Sequence, residues 1–163
     1  MNELLSEIQA QAAGDPLRLC IVTYLVCFVS GLVPLVHSEA YLVSVSAVSP
    51  FGAILPLTLA AALGQMTAKV MLYFGGRGVV RLPLGRHRQR VDAAQARFEQ
   101  RRGSTRAFLF VSAFTGLPPF LAVSVLAGML RLALRDFVVA GLLGRFLRFG
   151  VATLLPQIVR HWV

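Results

Sequence analysis

Three ionisable residues lie inside long apolar stretches of this sequence: Glu39, Arg145 and Arg148. An ionised side chain at the centre of a bilayer costs at least about 2.5 kcal/mol, so residues of this kind usually serve a function. Arg145 and Arg148 are three residues apart and would share one face of a helix. Because guanidinium groups match the geometry of phosphate, we expect Arg145 or Arg148 to bind phosphate and Glu39 to accept a proton or balance charge.

Simpler interpretations of the same residues remain open. Glu39 could end a helix at the membrane interface, where His37 is also expected, or it could pair with the two arginines. The arginines could instead extend their charged groups to the interface. Lys69 is expected to reach the interface in this way, and Asp136 is expected to pair with its neighbour Arg135 and start the last helix.

The composition indicates a polytopic membrane protein. Of 163 residues, 56% are hydrophobic and only 14% are charged, against about 25% charged in soluble domains, and the mean hydropathy is +0.71. Three runs of 18, 29 and 24 residues between Arg18 and Arg131 contain no charged residue or histidine, and about 20 apolar residues span a bilayer. No nucleophile motif and no metal-ligand spacing are present, so we expect no enzymatic activity and no cofactor.

A basic loop at residues 77–106 holds nine of the sixteen lysines and arginines. A net charge of +9 would suit nucleic acid, but positive charge beside membrane segments is typical of the cytoplasmic side and of contact with anionic lipid. We therefore expect no nucleic-acid partner, and a short helix over 88–102. The loop residues expected at the membrane surface are Arg86, Arg88, Arg90, Arg101 and Arg102.

The chain reads as a single membrane domain over residues 1–163, with two related halves. An amphipathic segment at 1–16, or alternatively a frayed polar terminus, precedes the first half at 17–75; the basic segment at 76–106 leads to the second half at 107–160. The motif GLVP at 31–34 recurs as GLPP at 116–119, and AALG at 61–64 recurs as GLLG at 141–144. Paired Gly/Pro motifs of this kind are typical of broken helices in inverted repeats. The residues expected to break the helices are Gly31, Pro34, Gly116, Pro118 and Pro119.

Helix lengths favour two re-entrant hairpins over four plain spans. As one helix the uncharged run at 40–68 would measure about 43 Å, which is too long for one crossing of a ~30 Å core and too short for two. We expect the chain to turn back near Pro34 and to cross at about 53–74. The predicted fold is all-α, with two re-entrant hairpins in an inverted repeat around a cytoplasmic basic loop.

The motifs GLVPLVHSEAYL, LGQMTAKVMLYFGGRG, FTGLPPFLAVSVLAGMLRLALRDF and GLLGRFLRF follow one another in an order that resembles the DedA family. This family is also called the VTT-domain or SNARE-associated membrane protein superfamily, and its short YqaA-like bacterial branch is the most similar. The resemblance implies facing re-entrant hairpins and movement of lipids across bilayers, for which the proton gradient is a candidate driving force. It also implies a functional glutamate at Glu39.

The second hairpin departs from the family pattern. Members typically carry an arginine before the Phe and another after the Pro, whereas this chain has Ala113 at the first place and Phe120 and Leu121 at the second. Arg145 and Arg148 are our candidates for supplying the missing charge.

The leading hypothesis is therefore a flippase or scramblase for a phosphate-bearing lipid in the bacterial cytoplasmic membrane. The hairpin tips would form a polar cleft, membrane lipids would be its partners, and a homodimer would enclose more volume. The alternatives are a proton-coupled transporter of a small solute and a structural or assembly protein that recruits partners through the basic loop.

Overall fold

Helices are the only regular elements in the computed structural model, which describes residues 15–33, 37–79, 96 and 100–162. The all-α prediction is confirmed for this part of the chain. Pro34, Arg86, Arg88, Arg90 and nearly all of the N-terminal segment lie outside the described residues. The elements are α1 (Pro16–Leu32), α2 (Ser38–Val48), a 3-10 turn (Phe51–Ala53), α3 (Ile54–Val79), α4 (Arg102–Thr115), α5 (Phe120–Met129) and α6 (Leu134–Trp162).

The helix ends follow from local sequence. The Asp15 carboxylate accepts hydrogen bonds from the backbone N–H groups of Leu17 and Arg18, and Pro16 occupies the first helical position, where it has no N–H to leave unsatisfied. Helix α4 is followed by its C-cap residue Gly116, whose φ of 80° is readily adopted only without a side chain. Pro118 and Pro119 then prevent the helix from continuing.

Two helices in the described chain are long and apolar enough to cross a membrane. The candidate spans are Phe51–Gly78 and Leu134–Ile158, and the first includes the crossing expected at about 53–74. Both carry stripes of exposed apolar side chains at helical spacing, as expected of surfaces that face lipid. The stripes consist of Leu55, Leu59, Leu63, Met71 and Phe74 on α3, and of Val139, Leu143, Leu147, Val151, Leu155 and Ile158 on α6.

The chain divides into two compact units, and the first comprises Met1–Gln65 and Phe146–Val163. It contains α1, α2, the first part of α3 and the last part of α6. Leu19, Val45 and Leu57 form its buried apolar cluster. Hydroxyl and amide groups join its helices: Thr58 bonds Thr153 at 3.0 Å, and Gln157 donates to the Ser46 carbonyl oxygen.

The second unit, Met66–Arg145, contains the rest of α3, α4, α5 and the first part of α6. Its core is larger and includes stacked aromatic rings, with Phe137 between Tyr73 and Phe120. The Tyr73 hydroxyl donates to the Leu132 carbonyl oxygen at 2.5 Å. The buried members of this core are Met66, Tyr73, Leu109, Ala113, Phe120, Val123, Ala127, Leu130, Leu132, Phe137 and Ala140.

Glycines let helix backbones touch within each unit. In the first unit, Gly64 of α3 lies directly against the Tyr24 backbone of α1. In the second unit, Gly144 of α6 lies against the Phe110 backbone of α4. Close approach of this kind is the usual role of small residues between membrane helices, so the last glycines of AALG and GLLG pack against α1 and α4, respectively.

Candidate functional site

Glu39 is the second residue of α2, directly after the interruption that separates α2 from α1. The N-terminal end of a helix carries a partial positive charge, which stabilises a carboxylate in the first turn. His37 occupies the N-cap position and is exposed, and its side chain makes no capping hydrogen bond to the described residues. The local structure therefore presents Glu39 as the acidic group of this helix end.

An ion pair joins Glu39 to Arg148 of α6. Arg148 donates from Nε to the Glu39 Oε1 oxygen at 2.6 Å, and its Nη2 lies 2.5 Å from the same oxygen. The Glu39 side chain is 47% exposed and the Arg148 side chain is 25% exposed, so the pair is partly accessible at the surface of the first unit. Of the two arginines that the sequence offers as partners for Glu39, Arg148 is the one that the first unit contains.

Gln65 ties the two sides of the first interruption together. Its Nε2 donates to the hydroxyl oxygen of Ser30 at 2.9 Å and to that of Ser38 at 2.8 Å. Ser30 lies near the end of α1 and Ser38 begins α2, and all three side chains are buried. No role for Gln65 was predicted from the sequence, although an isolated amide in an apolar span is itself a signal of function.

Replacing Gln65 with leucine is expected to lower the free energy of unfolding by about 1–2 kcal/mol, because hydrogen bonds between membrane helices contribute about 0.6–2 kcal/mol each. In a double-mutant cycle, Ser30→Ala and Gln65→Leu should be less than additive. Reversible unfolding in mixed detergent micelles measures both quantities. The control is Ser44→Ala, since the Ser44 hydroxyl bonds within its own helix. Additive effects of Ser30→Ala and Gln65→Leu would show that the hydrogen bond between these side chains does not contribute to stability.

The second interruption, between α4 and α5, is held by side chains of α4 itself. Helix α4 ends at Thr115 and α5 begins at Phe120, with Gly116, Pro118 and Pro119 between them. Ser112 of α4 donates to the Pro118 carbonyl oxygen at 2.8 Å, and Thr115 donates to that of Leu117 at 3.1 Å. These local bonds satisfy backbone groups that the broken helix would otherwise leave without partners.

Two cations are buried in the second unit. Arg145 is 8% exposed and Lys69 is 4% exposed, and they lie close enough to act on each other electrostatically. The Arg145 guanidinium stacks over the Phe120 ring, 5.2 Å from its centre, at a distance typical of cation–π contacts. The expectation that Lys69 extends to the interface is wrong, because the packing of this unit covers its side chain.

Asp136 is in the first turn of α6, as expected, but its partner differs from the prediction. Its carboxylate pairs with Arg106 of α4 at 2.7 Å instead of with Arg135. Adjacent residues on a helix point in directions about 100° apart and do not face each other, so a residue on a neighbouring helix makes the ion pair.

The basic loop contributes little to the described structure. Arg101 is exposed at the N-cap of α4, and Arg102 is the first residue of that helix. The predicted helix at 88–102 lies mostly outside the described residues.

Comparison with known proteins places these features in a family. A family model of the VTT domain matches residues 33–157, which is more than half of the chain and includes Glu39, both interruptions and Arg148. No curated protein and no solved structure matches the chain.

Proposed function

This chain belongs to the VTT-domain (DedA) superfamily of membrane proteins, and from that membership we propose that it moves a phosphate-bearing lipid between the leaflets of a bilayer. The observation that carries the proposal is the Glu39–Arg148 ion pair, in which an acidic helix end meets a guanidinium inside an otherwise apolar region. The Arg148 guanidinium can exchange its carboxylate partner for a phosphate, because both anions accept hydrogen bonds from the same pair of N–H donors.

The proposed layout follows from the helix lengths. Helices α3 and α6 cross the membrane, while α1 with α2 and α4 with α5 enter and return as re-entrant hairpins. Two correspondences support an inverted repeat. Each proposed hairpin contains a Gly/Pro motif at the junction of its two helices. Gly64 packs against α1 and Gly144 packs against α4, the first helix of each proposed hairpin. In the bacterial cytoplasmic membrane, this layout puts the basic loop at 77–106 on the cytoplasmic side, in agreement with the positive-inside tendency.

The proposed exchange keeps the site formed by Glu39 and Arg148 electrically neutral at each stage. In the described state the Glu39 carboxylate neutralises Arg148. When a proton binds the carboxylate, Glu39 becomes neutral and accepts hydrogen bonds less strongly, so the Arg148 N–H groups can turn to an anionic phosphate. When Glu39 loses the proton again, its negative charge displaces the phosphate. Both states avoid a net charge at membrane depth, which would cost several kcal/mol.

The second unit offers a further phosphate contact. Lys69 and Arg145 are like charges in a buried place, and an anion beside them would reduce their mutual repulsion. Arg145 lies over Phe120, the position after the Pro at which family members typically carry an arginine. We propose that α6 supplies here the positive charge that the second hairpin lacks.

The test is lipid movement in proteoliposomes made with purified protein and a fluorescent phosphate-bearing lipid. Glu39→Gln should slow transfer between leaflets about ten-fold or more, because a charge-assisted hydrogen bond contributes about 1.5–3 kcal/mol and each 1.4 kcal/mol is ten-fold in rate. The amide cannot regain the charge that displaces phosphate from Arg148.

Asp15→Asn is the matched control, since Asp15 caps α1 at an exposed ion pair with Arg18, and its transfer rate should be unchanged. Equal rates for Glu39→Gln and the unmodified protein would remove Glu39 from the mechanism. Uptake of a small solute driven by a proton gradient, without lipid transfer, would favour the solute transporter instead.

A further inference from the structure

A groove in the second unit, separate from the Glu39–Arg148 pair, combines a charged end with an apolar wall. Its volume is about 570 Å³, within the ~300–1,000 Å³ range of ligand sites. Arg106, Arg135 and Asp136 line one part, and Phe110, Val139 and Leu143 line the rest. The groove runs between α4 and α6.

The charged and apolar parts are ordered along the helices. On α4, Arg106 precedes Phe110 by one turn; on α6, Arg135 precedes Leu143 by eight residues, or about 12 Å. The Arg106–Asp136 ion pair brings the charged parts of both helices to the same end. The groove is therefore polar at one end and apolar at the other, and its whole length along α6 is a little under half the thickness of a ~30 Å hydrocarbon core.

The charged end coincides with the start of a candidate membrane span, Leu134–Ile158, where headgroups meet protein. Two guanidiniums and one carboxylate leave an excess of one positive charge. Among the described residues, the Asp136 carboxylate pairs with Arg106, and none pairs with Arg135, whose side chain is exposed. A monoanionic phosphodiester complements this charge, and one acyl chain complements the wall below it.

We propose that this groove holds one anionic phospholipid, with its phosphate at Arg135 and an acyl chain along Phe110, Val139 and Leu143. The bound lipid is a fixed ligand of the protein and is distinct from the lipid proposed to be transported. Asp136 lowers the affinity of the groove for this lipid, because its carboxylate pairs with Arg106 and repels the phosphate.

Native mass spectrometry of the purified full-length chain tests the site with dioleoyl phosphatidylglycerol against dioleoyl phosphatidylcholine, whose acyl chains are the same. We expect the anionic lipid to bind several-fold more tightly. Arg135→Gln should weaken its binding about five-fold, the effect of one arginine near a lipid charge. Asp136→Asn should strengthen binding, since it removes the competing carboxylate. Arg131→Gln, an exposed arginine outside the groove, should change binding less than two-fold.

Steric variants separate a groove from a general basic surface. Ala107→Phe fills the groove and should reduce binding of both lipids, whereas Val111→Phe, an exposed position outside the groove, should not. Inorganic phosphate should fail to displace the lipid, because it lacks the acyl chain. Equal losses from Arg135→Gln and Arg131→Gln, no gain from Asp136→Asn, or displacement by inorganic phosphate would overturn the proposal. None of these outcomes depends on whether the protein transports lipid.

Discussion

Replacing Gly76 with alanine is expected to lower the free energy of unfolding by about 3 kcal/mol, the upper part of the range for overpacked sites. A Cβ atom at Gly76 would overlap the carbonyl group of Val125, which is backbone of α5. Backbone cannot rotate aside as a flexible side chain can, so α3 and α5 would have to separate. Reversible unfolding in mixed micelles, followed by circular dichroism, measures the loss.

Gly75 provides a matched control in the same turn of α3, because a Cβ atom there would have no heavy atom within 4 Å. Gly75→Ala should leave stability unchanged or raise it by about 0.5–1 kcal/mol, since alanine favours helix over glycine. Gly128→Ala should behave like Gly76→Ala, because Gly128 of α5 lies against the Tyr73 backbone of α3. Equal stabilities of the Gly75 and Gly76 variants would contradict this description of the α3–α5 contact.

Arg148→Glu should reduce lipid transfer by about 100-fold or more, because two facing carboxylates repel by several kcal/mol and each 1.4 kcal/mol is ten-fold in rate. The measurement is the fluorescent-lipid assay in proteoliposomes. The exchanged pair Glu39→Arg with Arg148→Glu restores the attraction between α2 and α6. It should therefore recover thermal stability.

The exchanged pair should nevertheless leave lipid transfer slow, because the guanidinium then lies on α2 and the carboxylate on the long helix. Arg148→Lys is the conservative comparison: it keeps the charge but loses the planar fork, and it should retain an intermediate rate. If the exchanged pair transferred lipid as fast as the unmodified protein, the ion pair would be structural and Arg148 would not be the phosphate ligand.

Features set by chain-wide composition and length were predictable from the sequence. The two long helices follow from apolar runs long enough to cross a bilayer, and the helix break at Gly116–Pro119 follows from backbone chemistry. Glu39 and Arg148 were selected because charge is rare in such runs. Their pairing was left open, because 109 residues separate them and no local rule specifies a contact over that distance.

The predictions for Lys69 and Asp136 were wrong because tertiary packing, and not local sequence, decides where these side chains lie. Lys69 has a long flexible stem two turns before Arg77, which favours an interfacial position in isolation, yet the second unit buries it. Asp136 has an adjacent arginine in the sequence, but the helix turns that arginine away and Arg106 arrives from α4. Gln65 received no predicted role because its hydrogen-bond partners lie 27 and 35 residues away.

The two helix interruptions differ in where their support comes from. Ser112 and Thr115 of α4 support the second one, so these hydrogen bonds need no side chain from any other helix. The first relies on an amide from α3, so any withdrawal of that helix loosens Ser30 from Ser38. A spectroscopic label placed beside Ser38 would therefore report a displacement of α3 as a change in its local environment.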